Sequence, residues 1–336
     1  MFLPPHAYRK ILGFALMLAA LLAMSAMGSG RIENKQRTLR VEAKTIPYLQ
    51  SHTHPEGDPD APHSHWTSSE TSAIVPMDMW ITAIRTLVRN APPDILHHVL
   101  LYELGAKNPI CGNTFSQVRE WYAASMNTMR DPVVFPEPYG IFFKKGTHLA
   151  IEAMEHTADE PRGPGGLYTN VEIAVLLDYI PAKSTTRTRP LDFYRLRLDD
   201  TPCAYPMRHE AFVVLAKSGS FIKKPNIENI HEGGRYVFNR SGTLIGFGAN
   251  FWPWKGGKMM SAVINGKNIT SLFAQKLKES WAWNIPQYNK EVQVQKGDVI
   301  EAYMEYENPY KDKEIKDASG MLGFYFAADS NSIGDK

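Results

Sequence analysis

The chain has 336 residues, of which 43% are hydrophobic and 21% are charged. This length and balance are typical of a globular protein that can bury a sizeable core and has room for two domains. The 37 basic residues nearly balance the 35 acidic ones, giving a formal net charge of +2 without a long block of one sign. The charge pattern therefore excludes nucleic acid as a partner.

The first predicted element is an export signal. Arg9 and Lys10 precede an apolar stretch from Ile11 to Met27, and glycine and serine follow it. A basic start, an apolar centre and small residues are typical of a secretory signal, so residues 1–28 predict export to the periplasm or the cell exterior. The stretch 11–27 is near the lower limit for a membrane-spanning helix, so the alternative is an uncleaved anchor that keeps the protein on the membrane.

Residues 29–69 are predicted to form a flexible segment that contains histidine. Its part from Ser51 to His65 holds two His-x-His pairs, which are His52 with His54 and His63 with His65. Closely spaced imidazoles bind metal ions, so this segment is a candidate metal-capturing arm. Pro, Gly and Asp between the pairs oppose a fixed geometry, and a solvated polar linker is the alternative.

The remaining chain is dominated by strand signals. Short β-branched and aromatic runs, separated by Gly, Pro and Asn turns, occupy residues 80–88, 171–177, 211–215, 242–247, 292–295 and 299–306. This pattern predicts an all-β fold of antiparallel, jelly-roll-like β-sandwiches. One exception is predicted at residues 114–126, where Thr114 suits a helix cap and Phe115, Val118 and Tyr122 share a helical face.

A polar, turn-rich segment predicts the boundary between two domains. We expect an N-terminal sandwich at 70–182, a linker at 183–190 and a C-terminal sandwich at 191–330. Cys111 and Cys203 fit an oxidising compartment, and the sequence leaves open whether they pair.

Three histidines are the candidate metal ligands of the first domain. His97 and His98 are adjacent in the apolar run 94–102, and His156 closes a second strand-like run. Imidazole suits copper and zinc alike, and three such ligands with an open position describe a reactive metal site. Adjacent strand residues point to opposite faces, so joint ligation by His97 and His98 requires a local irregularity. His148 is a further candidate ligand, because it falls on the same side of a straight strand as His156.

These residues resemble the copper type II, ascorbate-dependent monooxygenases, the family of peptidylglycine α-hydroxylating monooxygenase and dopamine β-monooxygenase. The resemblance is collinear and is carried by segments 75–81, 97–102, 146–156, 256–266, 296–303 and 320–326. It implies two tandem antiparallel sandwiches, each with one copper facing a solvent-filled cleft. The first copper would store and pass an electron, and the second would bind dioxygen and substrate. By position, His97, His98 and His156 resemble the ligands of the electron-storing copper.

The second domain departs from the family at its metal site. Met321 matches the thioether ligand of the oxygen-activating copper, but Trp252 and Trp254 stand where two histidines are expected. Indole nitrogen is only a donor, and one thioether holds Cu(II) weakly. The resemblance therefore implies one copper and no ordinary second copper site.

The substrate contacts depart as well. Asn250 and Gly323 stand where the peptide hydroxylase holds a substrate carboxylate with Arg and Asn, and only Tyr325 is retained. Without a cationic fork, peptidylglycine is not the expected substrate. Asn250, Trp252, Trp254 and Tyr325 are instead candidates for an apolar pocket, with ordinary packing as the alternative.

Two functions follow from this pattern. The first is an exported copper-binding protein that kept the scaffold and one copper and acts as an accessory or redox protein with a protein partner. The alternative is a divergent copper monooxygenase that hydroxylates a small or apolar substrate with ascorbate or another electron donor. We favour the first, because the second domain supplies no imidazole to position oxygen.

Overall fold

Strands follow the β-branched and aromatic runs of the sequence. The structure is a computed structural model that describes residues 37–43, 46–50, 67–68, 72–91, 96–110, 118–124, 132–155, 167–185, 187–198, 212–214, 220–223, 234–251, 257–273, 281–283, 291–308, 315–318 and 320–329. The strands are β1 (Arg37–Glu42), β2 (Ile46–Gln50), β3 (Thr67–Ser68), β4 (Ser72–Ile74), β5 (Met79–Arg89), β6 (Leu96–Leu104), β7 (Val118–Ala124), β8 (Val133–Val134), β9 (Tyr139–Phe143), β10 (His148–Glu155), β11 (Leu167–Pro181), β12 (Arg189–Arg197), β13 (Phe212–Val214), β14 (Ser220–Lys223), β15 (Arg235–Val237), β16 (Gly242–Phe251), β17 (Gly257–Ile264), β18 (Lys267–Phe273), β19 (Trp281–Trp283), β20 (Val292–Val294), β21 (Val299–Glu307), β22 (Ile315–Ala318) and β23 (Gly320–Ala328). A turn of 3-10 helix occupies Ala182–Ser184.

The strands form two sandwiches in tandem. In the first, β1, β11, β5 and β9 make one layer, and β3, β10, β6 and β7 make the facing layer. In the second, β12, β23, β16 and β19 make one layer, and β14, β21, β17 and β18 make the other. The all-β prediction of two tandem antiparallel sandwiches is confirmed.

The two sandwiches share one sheet. β9 and β12 pair in parallel, with Arg189 opposite Tyr139 and Pro190 opposite Gly140. This pair joins the larger layers into an 11-stranded sheet. Arg189 and Pro190 therefore belong to β12, although the sequence places them in the linker at 183–190.

The second half of the shared sheet is buried on both faces. Phe193 and Tyr325 belong to the core of the first sandwich, whereas Tyr194 and Phe324 belong to the core of the second. Neighbouring strand residues point to opposite faces, so β12, β16 and β23 each contribute to both cores. The first sandwich thus rests directly on strands from the C-terminal half.

Residues 118–124 form β7, so the predicted helix over 114–126 is wrong for this part of the segment. β7 pairs with β6, with Tyr122 opposite Leu101. Trp121, Tyr122 and Ala123 are all buried. Burial of consecutive residues on both faces explains the error, because the sequence pattern considered only one apolar face.

Candidate metal centre

The ladder between β6 and β10 is irregular at the predicted metal site. His98 lies opposite Met154, and the next pair in register joins Leu96 to Glu155. The register therefore skips position 97, which marks a β-bulge at the histidine pair. A bulge sets two residues of one strand against one residue of its partner and re-aims their side chains. This is the local irregularity that joint ligation by adjacent histidines requires.

The third predicted ligand is adjacent in sequence to this irregularity. His156 follows Glu155, the last residue of β10, and itself lies outside the described residues. For His97 and His98 the structure describes the backbone but not the side chains. Within the described side chains, no group of three His, Cys, Asp or Glu is close enough to hold a metal ion.

His148 lies at the opposite end of the same ladder. It is exposed, and it pairs with Leu104 on β6 and Ile74 on β4. Six residues separate His148 from Met154, which corresponds to about 20 Å along a strand. The structure therefore places His148 away from the bulge, and its role as a copper ligand stays a prediction.

A buried polar pair lies on the ladder beside the bulge. The hydroxyl of Tyr102 on β6 donates to Glu152 Oε2 on β10 at 3.2 Å, and both residues are buried. Burial raises the pKa of Tyr102 well above its usual value, and the Glu120 and Glu152 carboxylates raise it further. The Tyr102 hydroxyl therefore stays protonated and remains a hydrogen-bond donor.

A second buried cluster connects this layer to the C-terminal half. The guanidinium of Arg195 on β12 donates to Glu120 Oε1 on β7 at 2.5 Å, and their side chains are only 4% and 14% exposed. A second nitrogen of Arg195 lies 3.6 Å from the sulfur of Met321. Met321 is thus buried beside a fixed cation. Its role as a metal ligand stays a prediction.

Of the four candidate substrate residues, Tyr325 has a described side chain. Tyr325 is fully buried, and its hydroxyl donates to the backbone oxygen of Trp121 at 3.0 Å. Asn250 lies opposite Met321 in the register of β16 and β23, and its side chain is not described. Trp252 and Trp254 lie outside the described residues. The one candidate whose side chain is described, Tyr325, is therefore part of the core.

Sequence reasoning missed a further set of charges between the two halves. Asp192 on β12 pairs with both Arg119 on β7 and Arg240. Arg119 also lies over the ring of Trp121 at 4.0 Å, and the indole nitrogen of Trp121 donates to Glu103 at 2.9 Å. The sequence signal for this set of charges was the presence of charged residues within apolar strand runs, since a strand buried on both faces must pair its charges.

Several predicted segments lie outside the described residues. These are the signal or anchor at 1–28, the histidine pairs from His52 to His65, and both cysteines, Cys111 and Cys203. In the described part of the chain, no helix has the length and apolar character needed to cross a membrane.

No family model and no curated protein matches this chain. Solved structures similar to it include the major capsid protein P2 from bacteriophage PM2, with 7% identity over 88% of this chain and 100% of that one, at a TM-score of 0.31. Another is peptide N-glycanase F, with 9% identity over 87% of this chain and 95% of that one, at a TM-score of 0.34. The PBCV-1 virus capsid matches at 6% identity over 90% and 96%, with a TM-score of 0.33. Likenesses this distant say nothing about what this chain binds or does.

Proposed function

We propose that this protein is an exported copper-binding protein that holds one copper through His97, His98 and His156 and serves as an accessory or redox protein. The observation that carries the proposal is the irregular register between β6 and β10, which skips position 97 and sets His98 opposite Met154. His156 follows this end of β10 by one residue. The bulge thus supports a shared site for three imidazoles that a regular strand would separate.

The three proposed histidine ligands suit copper. A set of three neutral imidazole nitrogens binds Cu(II) more tightly than it binds other divalent first-row metal ions. It also leaves room on the copper for an exchangeable ligand. Copper in such a set supplies one-electron chemistry. The proposed role of the protein residues is to hold the three nitrogens on a rigid ladder, so that binding costs little further ordering.

The C-terminal half favours the accessory role over hydroxylation. Oxygen activation at a second metal would need imidazole ligands near Met321, and Arg195 lies 3.6 Å from the Met321 sulfur instead. The alternative, a divergent copper monooxygenase acting on a small or apolar substrate, draws its support from the histidine pairs between His52 and His65. That segment is a source of imidazoles for a second ion.

The test is copper stoichiometry in three variants. The purified protein is titrated with Cu(II), and bound copper is measured by mass spectrometry and by electron paramagnetic resonance (EPR). His98→Ala and His156→Ala should each lose the tightest equivalent, because each removes a ligand. His148→Ala is the matched control, since it removes an exposed imidazole from the other end of β10, and it should keep that equivalent. Full copper binding in both ligand variants would overturn the proposal.

A test of activity separates the accessory role from the alternative. The copper-loaded protein should consume no oxygen beyond the background of free copper when ascorbate is added. Sustained ascorbate-dependent oxygen uptake that is lost in His98→Ala would favour the monooxygenase.

A further inference from the structure

Two exposed apolar side chains lie in one row at an end of the first sandwich. Ile74 ends β4 and is 58% exposed, and Leu104 ends β6 and is 37% exposed. Both pair with His148, the first residue of β10, so the three positions lie side by side on neighbouring strands. Residues paired in register share a face of the sheet, which places both apolar side chains on one surface with the exposed imidazole between them.

Three loops meet at this end of the sandwich and are joined by hydrogen bonds. The backbone nitrogen of Val75, after β4, donates to the backbone oxygen of Thr147, before β10, at 2.9 Å. The backbone nitrogen of Lys145 donates to Asp78 Oδ1 at 2.8 Å, and that of Ala182, after β11, donates to the Asp78 backbone oxygen at 2.9 Å. The three loops are 75–78, 144–147 and 182–185. Because they are bonded to one another, their exposed side chains are presented with little further ordering to do on binding.

These three loops carry a positive charge. Lys144, Lys145 and Lys183 are exposed, and Asp78 is the one acidic residue within the three loops. Asp78 holds the loops together through the two hydrogen bonds that it accepts. Three cationic side chains on long apolar stems thus adjoin the row of exposed apolar residues. We call this surface the loop-end patch, and it consists of Ile74, Leu104, Lys144, Lys145 and Lys183.

We propose that the loop-end patch docks this protein on the surface of an anionic phospholipid membrane. Such a surface offers negatively charged headgroups above an apolar layer, and the patch matches both parts. The lysine stems extend to the headgroups, while the apolar side chains enter the boundary of the acyl chains. A nucleic acid would pair with the lysines but offers no apolar layer for Ile74 and Leu104. The inference goes beyond the proposed copper function and does not depend on it.

The test measures binding to lipid vesicles without added metal. The full-length protein is sedimented with vesicles of equal parts phosphatidylserine and phosphatidylcholine, and with vesicles of phosphatidylcholine alone. Binding should be stronger to the anionic vesicles and should weaken as salt is raised, because salt screens the attraction between lysine and headgroup. Lys144→Gln with Lys145→Gln should weaken binding by about fivefold for each lysine removed. Ile74→Ser should weaken it by about fivefold, because a hydroxyl gains little from the apolar layer.

The matched controls lie on the second sandwich. Lys267→Gln with Lys296→Gln removes the same charge from two exposed lysines, and Val237→Ser replaces an apolar side chain that is 44% exposed. Both controls should keep the vesicle affinity of the unmodified protein. Equal losses in the patch variants and their controls would indicate attraction through net charge or general hydrophobicity, and this result would overturn the proposal. Full vesicle affinity in both patch variants would overturn it as well.

Hydrogen exchange adds a measurement that locates the contact with the membrane. The amides of 73–78 and 144–149 should exchange more slowly with anionic vesicles than with neutral vesicles, whereas those of the turn at 265–267 should exchange equally in both. The comparison holds even if the predicted anchor at 11–27 attaches the protein to both kinds of vesicle. Equal exchange of 73–78 and 144–149 with the two kinds of vesicle overturns the proposal, and so does a protein that sediments with neither.

Discussion

Removing the charge of Glu120 should destabilise the protein strongly. Arg195 and Glu120 bridge β12 and β7 at 2.5 Å, and the arginine side chain is only 4% exposed. Glu120→Gln keeps the volume but deprives a buried guanidinium of its anion. Breaking a buried pair in this way costs about 3–5 kcal/mol of unfolding free energy. At about 2 °C per kcal/mol for a chain of this size, the melting temperature should fall by roughly 6–10 °C.

The assay is thermal and urea unfolding followed by tryptophan fluorescence. The control is Arg85→Gln, which breaks an ion pair of 3.0 Å between Arg85 and Asp178, where the arginine side chain is 45% exposed. An exposed pair contributes about 1 kcal/mol or less, so this variant should unfold close to the unmodified protein. Replacing both buried partners, in Glu120→Leu with Arg195→Met, should recover most of the loss, because neither member of the pair is left buried without the other.

A loss of stability in Glu120→Gln no larger than that in the exposed control would contradict the prediction. The prediction also fails if the double variant is as unstable as the sum of its single variants, since a close ionic pair must show a coupling energy.

Three further predictions follow from the same part of the structure. Tyr325→Phe should cost about 1–2 kcal/mol in urea unfolding, because it removes the buried hydrogen bond to the Trp121 carbonyl at 3.0 Å; an unchanged midpoint would contradict this. Met321→Ala should cost about 2–5 kcal/mol by opening a cavity while leaving copper content unchanged; loss of one copper equivalent would revive the monooxygenase alternative. Deleting Ser51 to His65 should remove weak metal equivalents in a titration and keep the tightest one; loss of the tightest one would place this segment in the principal site.

The strands were predictable from the sequence because strand formation depends on short runs of neighbouring residues. β5 and β21 are rich in β-branched, aromatic and other apolar residues, and β21 alternates buried with partly exposed residues as a half-covered strand does. The pairing of β9 with β12 was not predictable, since Tyr139 and Arg189 are far apart in sequence. Nothing in either segment specifies its neighbour, and the larger fold selects it.

The candidate metal site likewise combines features that the sequence predicts with features that depend on the fold. The histidines and the need for an irregularity at His97 were visible in the sequence, whereas the bulge depends on the register with β10. Glu152 and Arg195 were missed because charges in strands usually indicate a solvent-facing side. Here a second layer covers that side, and both residues are buried.

The parallel pairing of β9 with β12 joins the two sandwiches through one continuous sheet. The pairing of β9 with β12 and the packing of Phe193 and Tyr325 into the core of the first sandwich hold the two halves together. An isolated N-terminal half would present β9 as a free edge strand with Ile141 and Phe143, which are buried in the whole protein, and such an edge recruits other chains. In the whole protein, pairing with β12 covers this edge of β9.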